Sequence, residues 1–243
     1  METSLLTQLG LSPDDVRRLA GQERTRLLSF LQRWRATDEL HACLDILQEE
    51  RPDLISLLDL RARAYAAAEH FDEALQIMEE RLSRQASVPA HSLLADIHLA
   101  RRDHEAAEAI AATLIAQDEE SCAGWRIRAE AALQRGDLAA ATAASHALGK
   151  LRPNGTRYLL NMVALYRARE DWVTASGYAV RLLNTVEVLW RLPPPILEAL
   201  RDYFKASGEE TRTVELGEAL DARYHEEFEE LKSLFAQQSA PDG

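Results

Sequence analysis

Hydrophobic residues recur every three or four positions through most of the chain, in helix-length stretches separated by short polar turns. Leu40, Leu44 and Leu47 illustrate the spacing, which places side chains on one face of an α-helix. Ten glycines and five phenylalanines suit helices packed through Ala and Leu better than a β-sheet. The pattern therefore predicts an all-α protein built from amphipathic helices.

The stretch from 125 to 153 indicates how the helices pair. Two helical patterns meet at a polar turn, in which Gly136 suits the left-handed backbone that ends a helix. Asp137 follows it and is suited to accept hydrogen bonds from the first N–H groups of the next helix. Alanines on both sides of the turn allow the two backbones to approach closely. The stretch therefore predicts two helices folded back on each other.

This unit repeats along the chain. The position held by Leu138, directly after the turn, recurs at intervals of 33 or 34 residues, and a small residue follows three places later in four copies. Such a period predicts stacked helix pairs, because repeats of about 20–50 residues are typical of solenoids. The recurring positions are Thr37, Phe71, His104, Leu138 and Trp172, and the small residues are Ala74, Ala107, Ala141 and Ala175.

The period and pattern resemble those of the tetratricopeptide repeat (TPR) family, whose signature is Trp-x2-Leu-Gly-x2-Tyr, then Ala-x3-Phe, then Pro. Trp125, Ala129, Ala132, Ala141 and Pro153 form one partial copy of that signature. The resemblance implies a right-handed α–α superhelix, or solenoid, of about five helix pairs with non-repeat capping helices at both ends.

Segments outside the repeats are expected to cover the two ends. Residues 1–20 should form a helical lead-in against the first repeat, or alternatively a docking peptide for another subunit. Residues 189–237 should form a proline elbow and capping helices, and 238–243 a disordered tail. The repeats themselves are expected at 21–54, 55–87, 88–121, 122–155 and 156–188.

In the TPR family the first helix of each pair lines a concave groove. The resemblance therefore implies a polar groove of mixed charge, suited to a peptide or helix that carries both charges. The alternative is a set of solvated helix faces with i,i+4 ion pairs, including Asp59/Arg63 and Arg126/Glu130. The residues implied for the groove are Asp59, Arg63, Ser92, Asp96, Arg126, Glu130, Asn161 and Arg167.

The last predicted helix carries a second apolar face at spacings of three and four residues. This face either closes the end of the chain or forms one half of a homodimer, and its spacing fits both. Its residues are Leu220, Tyr224, Phe228, Leu231 and Phe235.

These features predict a non-catalytic protein–protein interaction module: an adaptor, scaffold or regulatory subunit that holds a partner's peptide or helix in the groove. One alternative is a structural subunit that homodimerises through its last helix. Another is a bacterial secretion or assembly chaperone, or an accessory subunit of a larger nucleoprotein complex.

Charge and cysteine content indicate which partners and which cellular compartment to expect. The net charge of −12 opposes direct nucleic-acid binding, which depends on clustered Lys and Arg. Cys43 and Cys122 lie in different repeats, which favours free thiols in a reducing compartment. No secretory leader or membrane span is evident, so we expect a cytoplasmic protein. The preference for Arg over Lys and the abundant Ala indicate a bacterial source.

No sequence motif for catalysis is evident, and we expect no catalytic residue, metal or cofactor. His91, His98 and His104 lie in one repeat at positions where the family places large packing residues. A metal site would need three or four convergent ligands, so we interpret the three imidazoles as packing groups. Their titration remains a hypothesis for sensitivity to mild acid.

Overall fold

The computed structural model describes residues 4–51 and 54–238. All regular structure in these residues is helical, and the predicted all-α repeat architecture is confirmed. The described chain divides into two compact units, of which the first combines residues up to Arg84 with those from Asp221 onward, and the second contains Gln85–Leu220. The long last helix, Glu210–Gln238, contributes residues to both units.

The first unit contains two helix pairs preceded by short helical turns. A single apolar cluster joins Leu6 and Val16 of the lead-in to Leu31 and Leu44 of the first pair and to Phe235 near the end of the chain. The elements of the first unit before its share of the last helix are α1 (Leu5–Gln8), a 3₁₀ helix (Pro13–Arg17), α2 (Gly21–Arg33), α3 (Thr37–Glu50), α4 (Ile55–Ala67) and α5 (Phe71–Arg84).

The second unit contains three helix pairs and the elements that follow them. A short 3₁₀ helix at Leu189–Arg191 precedes the three prolines, of which Pro194 and Pro195 begin the next α-helix. The helices are α6 (Val88–Arg101), α7 (His104–Gln117), α8 (Cys122–Arg135), α9 (Leu138–Leu151), α10 (Thr156–Ala168), α11 (Trp172–Leu183), α12 (Pro194–Ser207) and the part of α13 (Glu210–Gln238) up to Leu220.

The second helices of the five pairs begin at the residues whose spacing defined the period, from Thr37 to Trp172. Three of them are capped by an aspartate whose carboxylate accepts a hydrogen bond from the backbone N–H three residues later. Asp103, Asp137 and Asp171 accept these bonds at 3.2, 3.0 and 3.0 Å. The caps satisfy N–H groups that have no partner within the helix, and so fix where each second helix starts.

Each of the five turns contains a residue with a positive φ. In each, the next backbone N–H donates to the carbonyl five residues earlier, as in Asp137 N to Ala132 O at 2.9 Å. The glycine of this turn was evident in the sequence, whereas the other four positions carry side chains. The positive φ values are 57° at Arg35, 62° at Glu69, 66° at Arg102, 76° at Gly136 and 61° at Glu170.

Small side chains fill the contacts between helices. Ala95, Ala107 and Ala131 are fully buried in one cluster formed by α6, α7 and α8. Ala141 is fully buried in the next cluster, against Met162 and other residues of α10. Close packing through alanine leaves the longer polar side chains of the first helices available for the surface that they share.

Candidate functional site

A groove of about 570 Å³ lies within the second unit, lined by residues of α6, α8, α10 and α12. The first three of these are the first helices of successive pairs. Four of the residues implied by the TPR resemblance line it, namely Asp96, Glu130, Asn161 and Arg167. The fold therefore brings together polar residues that are separated by more than 70 positions in sequence.

Apolar side chains form much of the groove wall. Leu133 and Leu160 are partly buried and so present apolar surface to the groove. Leu99 and Val163 are buried behind this surface. Tyr203 closes the wall from α12, where its hydroxyl donates to the backbone carbonyl of Trp172 at 3.2 Å. A wall of this kind suits an aliphatic or aromatic side chain of an occupant.

Arg126 anchors a carboxylate cluster beside the groove. Its Nη1 lies 2.8 Å from Oδ1 of Asp96 on α6 and 2.7 Å from Oε2 of Glu130 on its own helix. The guanidinium is buried, with 11% of the side chain exposed. Burial alone would lower the pKa of Arg126, but the charges of Glu130 and Asp96 outweigh it and raise the pKa. The arginine therefore stays charged, and both neighbours share its single positive charge.

Glu130 behaves differently from an exposed glutamate. Burial raises its pKa, and the positive charges of Arg126 and Arg157 offset that effect only in part. Asp96 adds to the increase through its negative charge. The groove therefore contains a carboxyl group whose ionisation is costly in the folded protein.

Asn161 is the least satisfied polar group of the groove. Only 4% of its surface is exposed, and its Nδ2 donates to no acceptor among the described residues. The amide lies on α10, midway along the groove face of that helix. A buried amide donor without a partner costs about 1–3 kcal/mol, and an acceptor within its reach would remove that cost.

Two arginines occupy the edge of the groove on α10. Arg157 is 57% exposed, and its Nη1 lies 3.9 Å from Oε1 of Glu130. Arg167 is exposed and forms no ion pair with any residue in the described part of the chain. The TPR resemblance implied Arg167 but not Arg157, although Arg157 precedes Asn161 by one helical turn and so shares its face. Tyr203 was missed because α12 lies outside the repeats.

The other implied groove residues do not line this groove. Ser92 is partly buried on α6. Asp59 lies in the first unit, where its Oδ1 accepts a hydrogen bond from Nε of Arg81 at 2.8 Å. Arg63 is exposed on the same helix as Asp59. Of the two i,i+4 ion pairs expected from the sequence, the one between Arg126 and Glu130 is therefore present, whereas Asp59 pairs with Arg81 of α5.

The apolar face of α13 packs within its own chain. In the first unit, the ring centroids of Tyr224 and Phe228 lie 5.7 and 6.4 Å from that of Phe30 on α2. Leu231 and Phe235 are buried, with 4% and 2% of their surface exposed. Leu220, also buried, belongs to the second unit.

A polar contact beside these rings joins the same two helices. Glu227 accepts hydrogen bonds from Arg33 and, at 2.9 Å, from the indole N–H of Trp34. This part of α13 is therefore held against the first repeat by both aromatic and polar contacts.

The three histidines of the third repeat each have separate surroundings. Nδ1 of His91 lies 2.9 Å from the carbonyl of Ser87, and Nδ1 of His98 lies 3.3 Å from Oδ2 of Asp103. Nδ1 of His104 is buried. Within residues 4–51 and 54–238, no three His, Cys, Asp or Glu side chains are placed to hold one metal ion. Across the same ranges, no helix is long and apolar enough to cross a membrane.

The chain matches no protein-family model and no curated protein. Among solved structures, it is similar to a thermophilic TPR protein of Thermus thermophilus, with a TM-score of 0.56 at 17% identity. That match covers 75% of this chain and 97% of the other. A TPR protein from Parabacteroides merdae gives a TM-score of 0.49 at 13% identity, covering 81% and 86%. The C-terminal part of a TPR repeat-containing protein from Cytophaga hutchinsonii gives 0.48 at 16%, covering 85% and 90%.

The likeness to the Thermus protein agrees with the helix pairs, their 33- to 34-residue period and the five equivalent turns. At this level of identity the likeness concerns the fold and leaves the ligand open. The chain has the fold of the tetratricopeptide repeat proteins.

Proposed function

We propose that the groove of the second unit binds an extended segment of a partner protein, and that the chain serves as a non-catalytic adaptor, scaffold or regulatory subunit. The observation that carries this proposal is the buried amide of Asn161, a groove-lining residue whose Nδ2 has no acceptor among the described residues. A protein gains no stability from such a group, whereas a ligand-binding surface has a use for it.

The chemistry of the amide favours an extended segment over the side of a helix. An extended peptide carries backbone carbonyls without an internal partner, and each of them is an acceptor for the N–H of Asn161. In a helix these carbonyls are already used, except in the last turn. The groove therefore suits a peptide that lies with its main chain against α10.

The apolar wall supplies the second part of the binding surface. Leu133 and Leu160 are partly buried on neighbouring first helices, and Tyr203 faces the same cavity from α12. A volume of about 570 Å³ lies within the range of pockets that enclose small ligands, which suits one large side chain and its immediate neighbours. One apolar anchor in this pocket would provide most of the affinity, as is typical of interface hot spots.

Selection from a random peptide library against the purified chain tests the proposal. Selected peptides should bind with an affinity that falls at least about tenfold in Asn161→Leu and in Leu133→Glu, because these changes remove the donor and the apolar wall. Ala112→Glu is the matched control, since Ala112 is exposed on α7 and does not line the groove. Thermal melts establish that each variant is folded.

Two outcomes would count against the proposal. Peptides whose affinity is the same in wild type, Asn161→Leu and Leu133→Glu would bind elsewhere, and a library that yields no binder would contradict peptide recognition altogether. A chaperone role, membership of a nucleoprotein complex, homodimerisation, a cytoplasmic location and a bacterial source all stay predictions.

A further inference from the structure

We propose that the segment bound in this groove is acidic as well as apolar: it carries carboxylates on either side of its apolar anchor, and Arg157 and Arg167 recognise them. This inference rests on the proposed function and adds the charge of the partner. It runs against the overall charge of the chain, which is −12 and would by itself favour a basic peptide.

Three carboxylates line the groove, those of Asp96, Glu130 and Asp202. Asp96 and Glu130 are both held by the buried guanidinium of Arg126, at 2.8 and 2.7 Å. Asp202 on α12 is 66% exposed and lies 3.5 Å from Arg201. The carboxylates that line the groove therefore each have a cation beside them.

The two arginines of α10 are not matched in this way. Arg167 has no ionic partner in the described part of the chain. Arg157 reaches Glu130 only at 3.9 Å, and that carboxylate already receives a hydrogen bond from Arg126 at 2.7 Å. A partner carboxylate at ordinary charge-assisted hydrogen-bond distance would interact with Arg157 more strongly than Glu130 does. Arg126 carries one charge for two carboxylates, so Glu130 is shared with Arg157, and the positive charge at the groove edge that no described carboxylate balances is that of Arg167.

The spacing of the two arginines sets the spacing of the carboxylates. Arg157, Asn161, Ala164 and Arg167 follow one another at three or four residues and line the same groove. The arginines are ten positions apart, which is about 15 Å along the helix axis at about 1.5 Å per residue. An extended peptide covers that distance in about four or five residues. Asn161 lies between the two arginines on α10, along the stretch that the main chain of the peptide would cross.

Three synthetic peptides test the charge preference directly. Each has a fluorescein label and a central leucine, flanked by two glutamates, two glutamines or two lysines placed about five residues apart. Binding to the full chain is followed by fluorescence anisotropy at low and at high salt. We expect the glutamate peptide to bind about tenfold more tightly than the lysine peptide, and its advantage to shrink at high salt, because exposed ion pairs are screened.

Reversing the charge of Arg157 and Arg167 tests whether these two arginines cause the preference for the glutamate peptide. In the double variant Arg157→Glu and Arg167→Glu, the lysine peptide should become the tighter ligand. Arg135→Glu is the control, since Arg135 is exposed at the end of α8 and does not line the groove. An unchanged preference for glutamate in the double variant would overturn the inference.

The remaining outcomes distinguish this inference from the proposed function. If all three peptides bind equally and Asn161→Leu abolishes binding, the groove binds peptides and the inference about charge is wrong. If the lysine peptide binds most tightly to wild type, the inference is likewise overturned. If none of the three binds at millimolar concentration, both the inference and the proposed function are contradicted.

Discussion

Arg126 donates through Nη1 to Oδ1 of Asp96 at 2.8 Å, and so joins the first helix of one repeat to the first helix of the repeat before it. The same nitrogen lies 2.7 Å from Glu130, one turn further along α8. One buried guanidinium therefore fixes the relative positions of two groove helices and shares its single positive charge between two carboxylates of the groove.

We expect Arg126→Ala to lower the free energy of unfolding by about 3 kcal/mol, because removing one partner of a buried ion pair leaves the others without compensation. Asp96 is 40% exposed, which allows water to solvate it and keeps the cost near the lower end of the usual range. Urea denaturation followed by circular dichroism measures the change.

Arg135→Ala is the control for this experiment, because Arg135 is an exposed arginine of the same helix. Its effect should stay within about 0.5 kcal/mol. Equal effects of the two substitutions would show that the Arg126 cluster contributes nothing particular to stability.

Glu130 should give the stability a dependence on pH. Its pKa is raised in the folded chain because burial disfavours the carboxylate. A raised pKa means that the folded state holds the proton more tightly than the unfolded state does. The contribution of this group to stability is therefore complete below the unfolded pKa and is lost as pH rises through the folded pKa.

We expect Glu130→Gln to remove the loss of stability that the ionisation of Glu130 causes as pH rises. The measurement compares the free energy of unfolding of wild type and Glu130→Gln from about pH 4 upward, since an unperturbed glutamate titrates near about 4.3. The difference between the two curves isolates Glu130 from the other carboxyl groups. Parallel curves would contradict the raised pKa.

The five turns offer a test of backbone strain. Arg102 and Gly136 end equivalent helices with φ of 66° and 76°. After each of them, the next backbone N–H donates to the carbonyl five residues earlier. A side chain in this conformation costs about 1–2 kcal/mol, part of which glycine loses again through its greater freedom in the unfolded chain. Gly136→Ala should therefore destabilise the protein by about 1 kcal/mol, and Arg102→Gly should stabilise it by about 0.5 kcal/mol.

Thermal or urea unfolding of the two variants measures whether each substitution raises or lowers the free energy of unfolding. Changes in stability of the same sign would contradict the interpretation, because one substitution adds a side chain at a left-handed position and the other removes one from an equivalent turn. No contact explains a penalty at Gly136, since a Cβ added there would meet no described atom within 4 Å.

These turns also show how far the sequence determines the fold in advance. The repeat period was predictable because aspartate caps and buried alanines recur, and each has a local physical cause. Gly136 was recognisable as a left-handed position, whereas Arg35, Glu69, Arg102 and Glu170 were not, because the packing of the helix pair imposes their conformation. Tertiary contacts there override the local preference of the residue.

The groove was predictable to a similar extent. Helical periodicity and the TPR resemblance placed Asp96, Glu130, Asn161 and Arg167 on the surface that they share. They could not show that Arg126 binds Asp96 of the preceding repeat, since that distance depends on how repeats stack. Nor could they identify Tyr203, which reaches the groove from a helix without the repeat pattern.

Alanines at the helix contacts should not tolerate larger side chains. Ala107 and Ala141 are fully buried, so Ala107→Leu and Ala141→Leu should each cost about 1–3 kcal/mol through overpacking. Ala112→Leu and Ala139→Leu are the matched controls, because both alanines are exposed on the same two helices. Urea denaturation of all four variants makes the comparison. Small effects at both buried positions would mean that these alanines do not mark the tight contacts.

Replacement of Asn161 should change stability and peptide binding in opposite directions. Its buried Nδ2 has no acceptor among the described residues, so Asn161→Leu, which has a similar size, should raise the free energy of unfolding by about 1 kcal/mol. The same variant should lose affinity for peptides selected against the wild type. A residue that serves only the fold would lose stability when replaced, whereas a residue retained for binding gains it. Unfolding by urea and peptide anisotropy on one preparation measure both, and a variant that is less stable yet binds normally would assign Asn161 to the fold.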